Sequence, residues 1–385
     1  MKYIRPIFLL LLVFHISGKP DNTGHKLQAV LWPMSPPGAI AQVDDAVYHF
    51  MQQYKVPGMS VAITRNGKLV YAKSYGKADI ENNVPVSNAS LFRIASVSKP
   101  ITATAILKLA EAKKLNLDDK VFGEGALLGN KYGKQPYSAG IRQITVRHLL
   151  QHTAGGWPNN GADPMFSQPE LNAAALISWT LDHVPLDTIP GTRYAYSNFG
   201  YCILGRVIEQ VSGQPYAQYV KTAILQPSGG STMQIGGNTL AERKPLEVKY
   251  YGQLGQDPYC CDVTRMDAHG GWIASATDLA RWLVSIDGFD SKPDILSKAS
   301  IAAMTTPSAA NPNYALGWLV NAYHNWWHSG SLPGTASEVI RASNGFNWVM
   351  LCNTRTDKGF FNDLDALIWK AVSDKQTPWP AEDLF

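Results

Sequence analysis

Strand-forming signals sit at both ends of this 385-residue chain, and a helix-rich stretch separates them. Near the start, apolar runs at 58–63 and 69–72 flank Asn66-Gly67, a strong two-residue hairpin signal. Strand patterns return at 314–321, 336–341 and 348–352. Between them, helical spacing recurs near 145–151, 170–183, 197–212 and 276–287, separated by long loops rich in Gly, Pro and aromatic residues. Further helical patterns cover 40–54, 96–112 and 362–372. The distribution predicts an α+β fold: one antiparallel sheet built from both chain ends, flanked by helices, with a helix-rich region inserted. Its α/β part is expected at about 39–118 and 306–375 and its helical part at about 119–305, as one domain over 39–375.

The segment before that domain has a different character. Lys2 and Arg5 precede an apolar run at 7–14, and Ser17 and Gly18 follow, the pattern of a secretory signal peptide over 1–18. The run is shorter than the ~20 residues of a spanning helix, so no stable membrane insertion is expected after cleavage. Residues 19–38 are polar and Pro-rich and read as a leader or linker. Export predicts a secreted or periplasmic protein. Lys+Arg minus Asp+Glu is 34 − 30 = +4, and no basic run of five or more occurs, so no nucleic-acid partner is expected. The four cysteines (Cys202, Cys260, Cys261 and Cys352) match neither a disulfide framework nor a zinc site. Adjacent Cys260 and Cys261 are awkwardly placed to pair with each other, which leaves open a bridge from one of them elsewhere, or none.

Three short segments carry chemistry. Ser96 and Lys99 lie three apart at the start of a helical pattern, on one face. A serine hydroxyl needs a base to become a nucleophile, and lysine serves only if desolvation or the helix dipole lowers its pKa. Pro100 is tolerated in a first helical turn. The second segment, Tyr196-Ser197-Asn198, precedes an apolar helix; by itself it reads as a helix start capped by Ser197 or Asn198. A tyrosine hydroxyl close to a lysine ammonium would lose its proton more easily. The third, His328-Ser329-Gly330-Ser331, ends an aromatic strand, and Gly330 would let a ligand or the helix approach the backbone.

In this order and separation, the three segments resemble the serine β-lactamase and penicillin-binding-protein family, nearest to its class C-like branch of esterases, D-aminopeptidases and carboxypeptidase-like members. Residues 144–155, with His148, His152 and Gly155, and the Gly270-Gly271 segment resemble flanking signatures of that branch. The likeness covers roughly 40–371. It implies a β-lactamase/transpeptidase-like fold and a role for each matching position. Ser96 would be acylated, Lys99 would take its proton, and Tyr196 would pass a proton to the leaving group and help activate the deacylating water. Asn198 would hydrogen-bond Lys99 or the substrate, and the Ser96 and Ser331 N–H groups would form the oxyanion hole. His328 would face the helix start from the strand edge. No cofactor or metal is implied. The chain departs from β-lactamases at His328, where many members carry a lysine that favours a substrate carboxylate; a histidine would be largely neutral at pH 7.

These residues predict a serine hydrolase for a small ester, amide or short peptide, most simply an esterase or a D-amino-acid-type peptidase. A β-lactamase or D-alanyl-D-alanine carboxypeptidase is the alternative, and a catalytically silent scaffold on the same fold is a third. Other motifs point away from competing chemistries. Gly58-Met59-Ser60-Val61-Ala62 lacks the final glycine of a nucleophile elbow. His148 and His152 lack the glutamate of a helical zinc motif and read as core or turn residues. His324 and His328 alternate onto one strand face, and His269 reads as a turn cap. Loops 123–140, 156–170 and 245–265 are long enough to cover a cleft. Trp157 is assigned to substrate binding, with Tyr250, Tyr251, Tyr259, Trp326 and Trp327 as further wall candidates.

Overall fold

The computed structural model describes residues 40–160, 163–356 and 359–385. The expected signal peptide and linker, 1–38, lie outside the described residues.

The apolar runs at the two chain ends become the centre of one sheet. Strand β1 (Gly58–Arg65) turns through Asn66 and Gly67, both at positive φ (49° and 74°), into β2 (Lys68–Asp79). Two positive φ values in succession match the right-handed twist of the flanking strands, which is why Asn-Gly suits this position. Two-residue strands follow at β3 (Val84–Pro85) and β4 (Phe92–Arg93). The helical middle contributes β5 (Gln234–Ile235) and β6 (Trp272–Ala274). The C-terminal part supplies β7 (Leu319–Val320), β8 (Trp326–Leu332), β9 (Thr335–Arg341) and β10 (Phe346–Cys352). Among the described residues, the main sheet runs β3-β2-β1-β10-β9-β8-β7. Its middle is the antiparallel pairing of β1 with β10, from Met59 opposite Cys352 to Arg65 opposite Phe346. A small second sheet orders β4-β6-β5.

Both faces of the main sheet are covered, so β1 and β10 are buried almost throughout. One face packs on α1 (Ala41–Tyr54) through Val43, Val47, Phe50 and Met51, and on C-terminal helices through Phe360, Leu364 and Ile368. The other packs on the cluster containing α2 (Ser98–Glu111) and most of the helical middle. The predicted closing helix is two short ones, Phe360–Ala366 and Trp369–Ser373. Only Leu319–Val320 of the predicted 314–321 strand is extended, because Gly317 at φ 79° turns the chain just before it. His324 lies at φ 59° in the turn before β8, so it does not share a strand face with His328.

One short segment joins the two sheets and enters α2. Phe92 and Arg93 pair with β6, and the Ile94 N–H donates to the Trp272 carbonyl at 3.0 Å. From β9, Thr335 Oγ1 donates to the Arg93 carbonyl (2.9 Å) and Ser337 Oγ to the Ile94 carbonyl (2.6 Å). The main sheet thereby holds the 3-10 turn Ala95–Val97 that leads into α2. A Cβ on Gly330 would lie 2.1 Å from the Ile94 carbonyl oxygen and 2.3 Å from Ser337 Oγ. What comes close at Gly330 is therefore the chain carrying Ser96; its assignment to substrate binding is corrected to this packing role.

Gly330→Ala is accordingly expected to lower stability by about 1–3 kcal/mol, as overpacking does. Urea denaturation measures it, and an unshifted midpoint would mean that β8 and the Ile94 segment part without cost.

Candidate active site

Ser96 stands at the centre of the 3-10 turn, and Lys99 follows at the start of α2. Ala95, just before the nucleophile candidate, has φ 45°, a left-handed conformation that non-glycine residues rarely adopt. Such local strain persists only where the surroundings fix it, and the hydrogen bonds from β9 and β6 do so here.

Lys99 is fully buried, and its Nζ has three oxygen partners: Ser96 Oγ at 3.0 Å, Asn198 Oδ1 at 2.7 Å and the His269 carbonyl at 3.0 Å. Asn198 Oδ1 can only accept, since its Nδ2 donates to Asp163 Oδ2 at 2.7 Å. The His269 carbonyl likewise only accepts. A neutral amine has two N–H bonds and one lone pair. With both N–H bonds committed to Asn198 and His269, the lone pair is left for Ser96 Oγ. Burial pushes the Lys99 ammonium down to about 7, with the Asp163 charge pulling it back up. Burial also pushes the Asp163 carboxyl up, to about 6, against hydrogen bonds from Asn198 and the Met165 N–H.

Helix Asn198–Ser212 begins where the second motif predicts, with Ser197 Oγ accepting from the Gly200 N–H as its cap. Asn159 Oδ1 accepts from the Asn198 N–H at 2.9 Å, and the Asn159 N–H donates to the Tyr196 carbonyl at 2.9 Å. The Tyr196 ring lies 4.8 Å from Lys99 Nζ, and its phenol hydrogen-bonds Ser96. Desolvation raises the Tyr196 phenol above its ordinary value, the Ser96 hydrogen bond opposing. The expectation of an easily lost proton is thus corrected: Tyr196 rests as a neutral phenol, and Lys99 is the group poised to act as base.

The third motif lies on β8 just past its short pairing with β7, which ends at Trp327. That strand returns into β9 over Pro333-Gly334, with Leu332 opposite Thr335 and Ser331 opposite Ala336. The closing pair of a two-residue hairpin exchanges ladder bonds, so the Ser331 N–H turns away from β9 to the edge beside the 3-10 turn. The Ser96 N–H belongs to a first helical turn, where donors have no intrahelical acceptor. These are the two expected oxyanion donors. His328 Nδ1–H donates to the Ser329 carbonyl at 2.7 Å, which fixes its tautomer. Burial, with the Lys99 charge adding to it, pushes the imidazole down to about 3, so it is neutral.

The second and third motifs are also tied by a hydrogen-bonded path. The Ser197 N–H donates to His152 Nδ1 at 3.1 Å, leaving the proton on His152 Nε2, which donates to the Tyr314 hydroxyl at 3.0 Å. That hydroxyl lies 3.4 Å from the unprotonated His328 Nε2. His148 has the turn role read for it, closing a capping box with Thr145. His269 acts through its carbonyl on Lys99 rather than as a turn cap.

Ser96, Lys99, Tyr196, Asn198, His328 and Ser331 therefore converge; Trp157 does not join them. Its indole is 1% exposed, meets Phe199 edge-on and donates Nε1–H to the Val184 carbonyl at 2.9 Å. With both its apolar body and its donor satisfied inside, it is a core residue, a correction to its assignment to substrate binding. Tyr250 and Trp326 are buried as well. Asp163, Asn159 and Tyr314 are not singled out by the sequence, and His269 only as a turn cap; of these, only Asp163-Pro164, a cap followed by proline at the first helical position, carries a local signal. Among the described residues, no cluster of metal-ligating side chains occurs.

The family model described as Beta-lactamase matches residues 43–373. Protein flp of Staphylococcus aureus strain MW2 is 27% identical over 326 residues, covering 82% of this chain and 63% of that protein. Penicillin-binding protein 4* of Bacillus subtilis strain 168 is 27% identical over 314 residues, covering 73% and 64%. The chain thus spans a little under two thirds of the length of these curated relatives. Among solved structures, the octameric penicillin-binding protein homologue of Pyrococcus abyssi is similar at TM-score 0.69 and 26% identity, over 88% of this chain and 79% of that one. The D-amino acid amidase of Ochrobactrum anthropi SV3 shares the fold at TM-score 0.69 and 22% identity, over 86% and 98%. The D-alanine carboxypeptidase AmpC of Burkholderia cenocepacia shares it at TM-score 0.68 and 20% identity, over 86% and 98%. With the sheet, the three converging motifs and a match over most of its length in agreement, this chain belongs to the Beta-lactamase family.

Proposed function

We propose that the chain is a serine hydrolase that forms an acyl-enzyme on Ser96, taking uncharged esters or D-amino-acid-type amides and peptides. One observation carries the reading: the desolvated Lys99 amine, held by two acceptors, has its lone pair toward Ser96 Oγ at 3.0 Å. Ser96 Oγ bonds the acyl carbon as its proton passes to Lys99 Nζ. The oxygen that gains charge faces the Ser96 and Ser331 N–H groups, and loss of one such donor typically costs about 3 kcal/mol of barrier. The leaving oxygen or nitrogen takes a proton through the Tyr196 phenol, which is replenished from Lys99. A water then cleaves the acyl-serine, giving its proton back along the same groups and restoring Ser96.

The neutral His328 supports the substrate class, because it puts no fixed positive charge where a carboxylate would bind. The fold likeness to a D-amino acid amidase and a D-alanine carboxypeptidase favours D-amino-acid-type acyl groups. A second reading, penicillin binding, is favoured by the 27% identity to Penicillin-binding protein 4*. The signal-like segment at 1–18 supports action after export.

Ser96→Ala is expected to cut hydrolysis of a p-nitrophenyl ester by at least about a thousandfold, as loss of a nucleophile does, with the melting temperature nearly unchanged. Retained turnover would remove Ser96 from the chemistry. A screen of p-nitrophenyl esters and D-amino-acid amides beside a fluorescent penicillin separates the two substrate readings: rapid turnover of the former with no stable penicillin adduct on Ser96 is expected.

The pH dependence follows from the base. Lys99 works only when neutral, so kcat should rise with pH through a midpoint near its value of about 7. The Asp163 charge favours the ammonium, so Asp163→Asn removes that pull and should move the midpoint to lower pH. A midpoint that moves upward would contradict this assignment.

A further inference from the structure

We propose that Cys260 and Cys261 form a vicinal dithiol that small-molecule disulfides oxidise, and that closing this ring slows acylation of Ser96. The thiol chemistry is independent of the hydrolase reading; the effect on Ser96 rests on it.

Among the described residues, which include all four cysteines, none is in a disulfide. Cys260 is exposed and Cys261 buried, and their sulfurs are 3.4 Å apart. Cys261 belongs to a small apolar cluster with Ala95, Met266 and Leu332. Ala95 immediately precedes Ser96, and Leu332 immediately follows Ser331. The inner thiol therefore shares an apolar cluster with the residues next to both expected oxyanion donors.

The same loop anchors the segment leading to Ser96. The Pro258 carbonyl accepts from Arg93 Nη1 at 2.7 Å, and the Tyr259 ring lies 5.1 Å from the guanidinium. A shift of Cys260-Cys261 has two routes to the nucleophile, through the Ala95 packing and through Arg93.

The two thiols have unequal environments. A hydrogen bond from Cys261 holds the Cys260 thiol below its ordinary value, with Arg93 assisting and burial and Asp257 opposing; the same hydrogen bond and burial push Cys261 up. Exposed and more acidic, Cys260 is the attacking thiol, and Cys261 is the resolving one. The Cys260 thiolate attacks one sulfur of a disulfide RSSR, forming a mixed disulfide and releasing RS⁻. Cys261 then gives up its proton and attacks the Cys260 sulfur, closing the ring and expelling a second RS⁻. Two protein thiols are oxidised and one RSSR is reduced to two RSH. Adjacent Cα atoms lie only about 3.8 Å apart, less than the usual span of a disulfide, so the ring is strained and readily reduced again. Burial holds the Cys202 and Cys352 thiols above their ordinary range, and neither competes as a nucleophile.

The test treats the full chain with glutathione disulfide and reads intact mass together with labelling of Ser96 by a fluorophosphonate. The wild type should lose two hydrogen atoms with no lasting glutathione adduct. Ser96 labelling should slow by roughly tenfold, within the range that small misplacements of reacting groups produce, and dithiothreitol should restore it. Cys261→Ser should stop at a stable adduct carrying one glutathione. Cys260→Ser should form none and keep its labelling rate in the presence of oxidant. A persistent adduct on the wild type, or an unchanged mass, overturns the dithiol. Unslowed labelling of the oxidised protein overturns its link to Ser96. Should Ser96 fail to label even before oxidation, the hydrolase reading falls and the mass readings still decide the thiol chemistry.

Discussion

A lysine amine shut away from water sets the terms for everything around it. Burial makes the charged form of Lys99 costly, and the protein meets part of that cost with two fixed acceptors rather than an ion pair in direct contact. Asp163 stands one residue further out, behind the Asn198 amide, close enough to temper the ammonium and too far to hold it permanently charged. Asn198 is thus a spacer as well as a ligand: its amide faces the amine with oxygen and the carboxylate with nitrogen, and reversing it would break both contacts.

The placement of this amine depends on pieces from three distant regions. Strand β9 holds the carbonyls before Ser96, β6 holds Ile94 from the other side, and the helix starting at Asn198 delivers the amide. His152 and Tyr314 extend the linkage to β8, so the phenol and imidazole motifs are joined to each other as well as to Ser96. In this network, several of the converging groups rest on main-chain hydrogen bonds, which hold them in position without adding charge to the cleft.

Much of the fold is legible in the residues because it follows from short-range rules. Apolar runs around Asn66-Gly67 specify a hairpin, and the Ser96–Lys99 spacing places both groups on one side of a helix start. What escapes the sequence acts at long range or through the main chain. The His269 carbonyl carries no residue-specific signal, since any side chain at that position offers the same oxygen. Trp157 looks like a cleft wall by composition, yet Phe199 and the Val184 carbonyl, both distant in sequence, draw it inward. The 314–321 pattern overstates a strand because apolar alternation cannot register the left-handed turn at Gly317.

The pairing of β1 with β10 has a consequence for how the molecule is made. Residues 59–65 find their partners at 346–352, so the sheet's central ladder spans nearly the whole described chain. Until β10, the last of the described strands, is in place, the first hairpin keeps the outer edge of β1 unpaired. Contacts this far apart in sequence slow assembly, and an uncovered border of that kind invites pairing with other chains. The inserted helices all lie between the two partners, and each residue added there lengthens the loop that must close before the ladder forms.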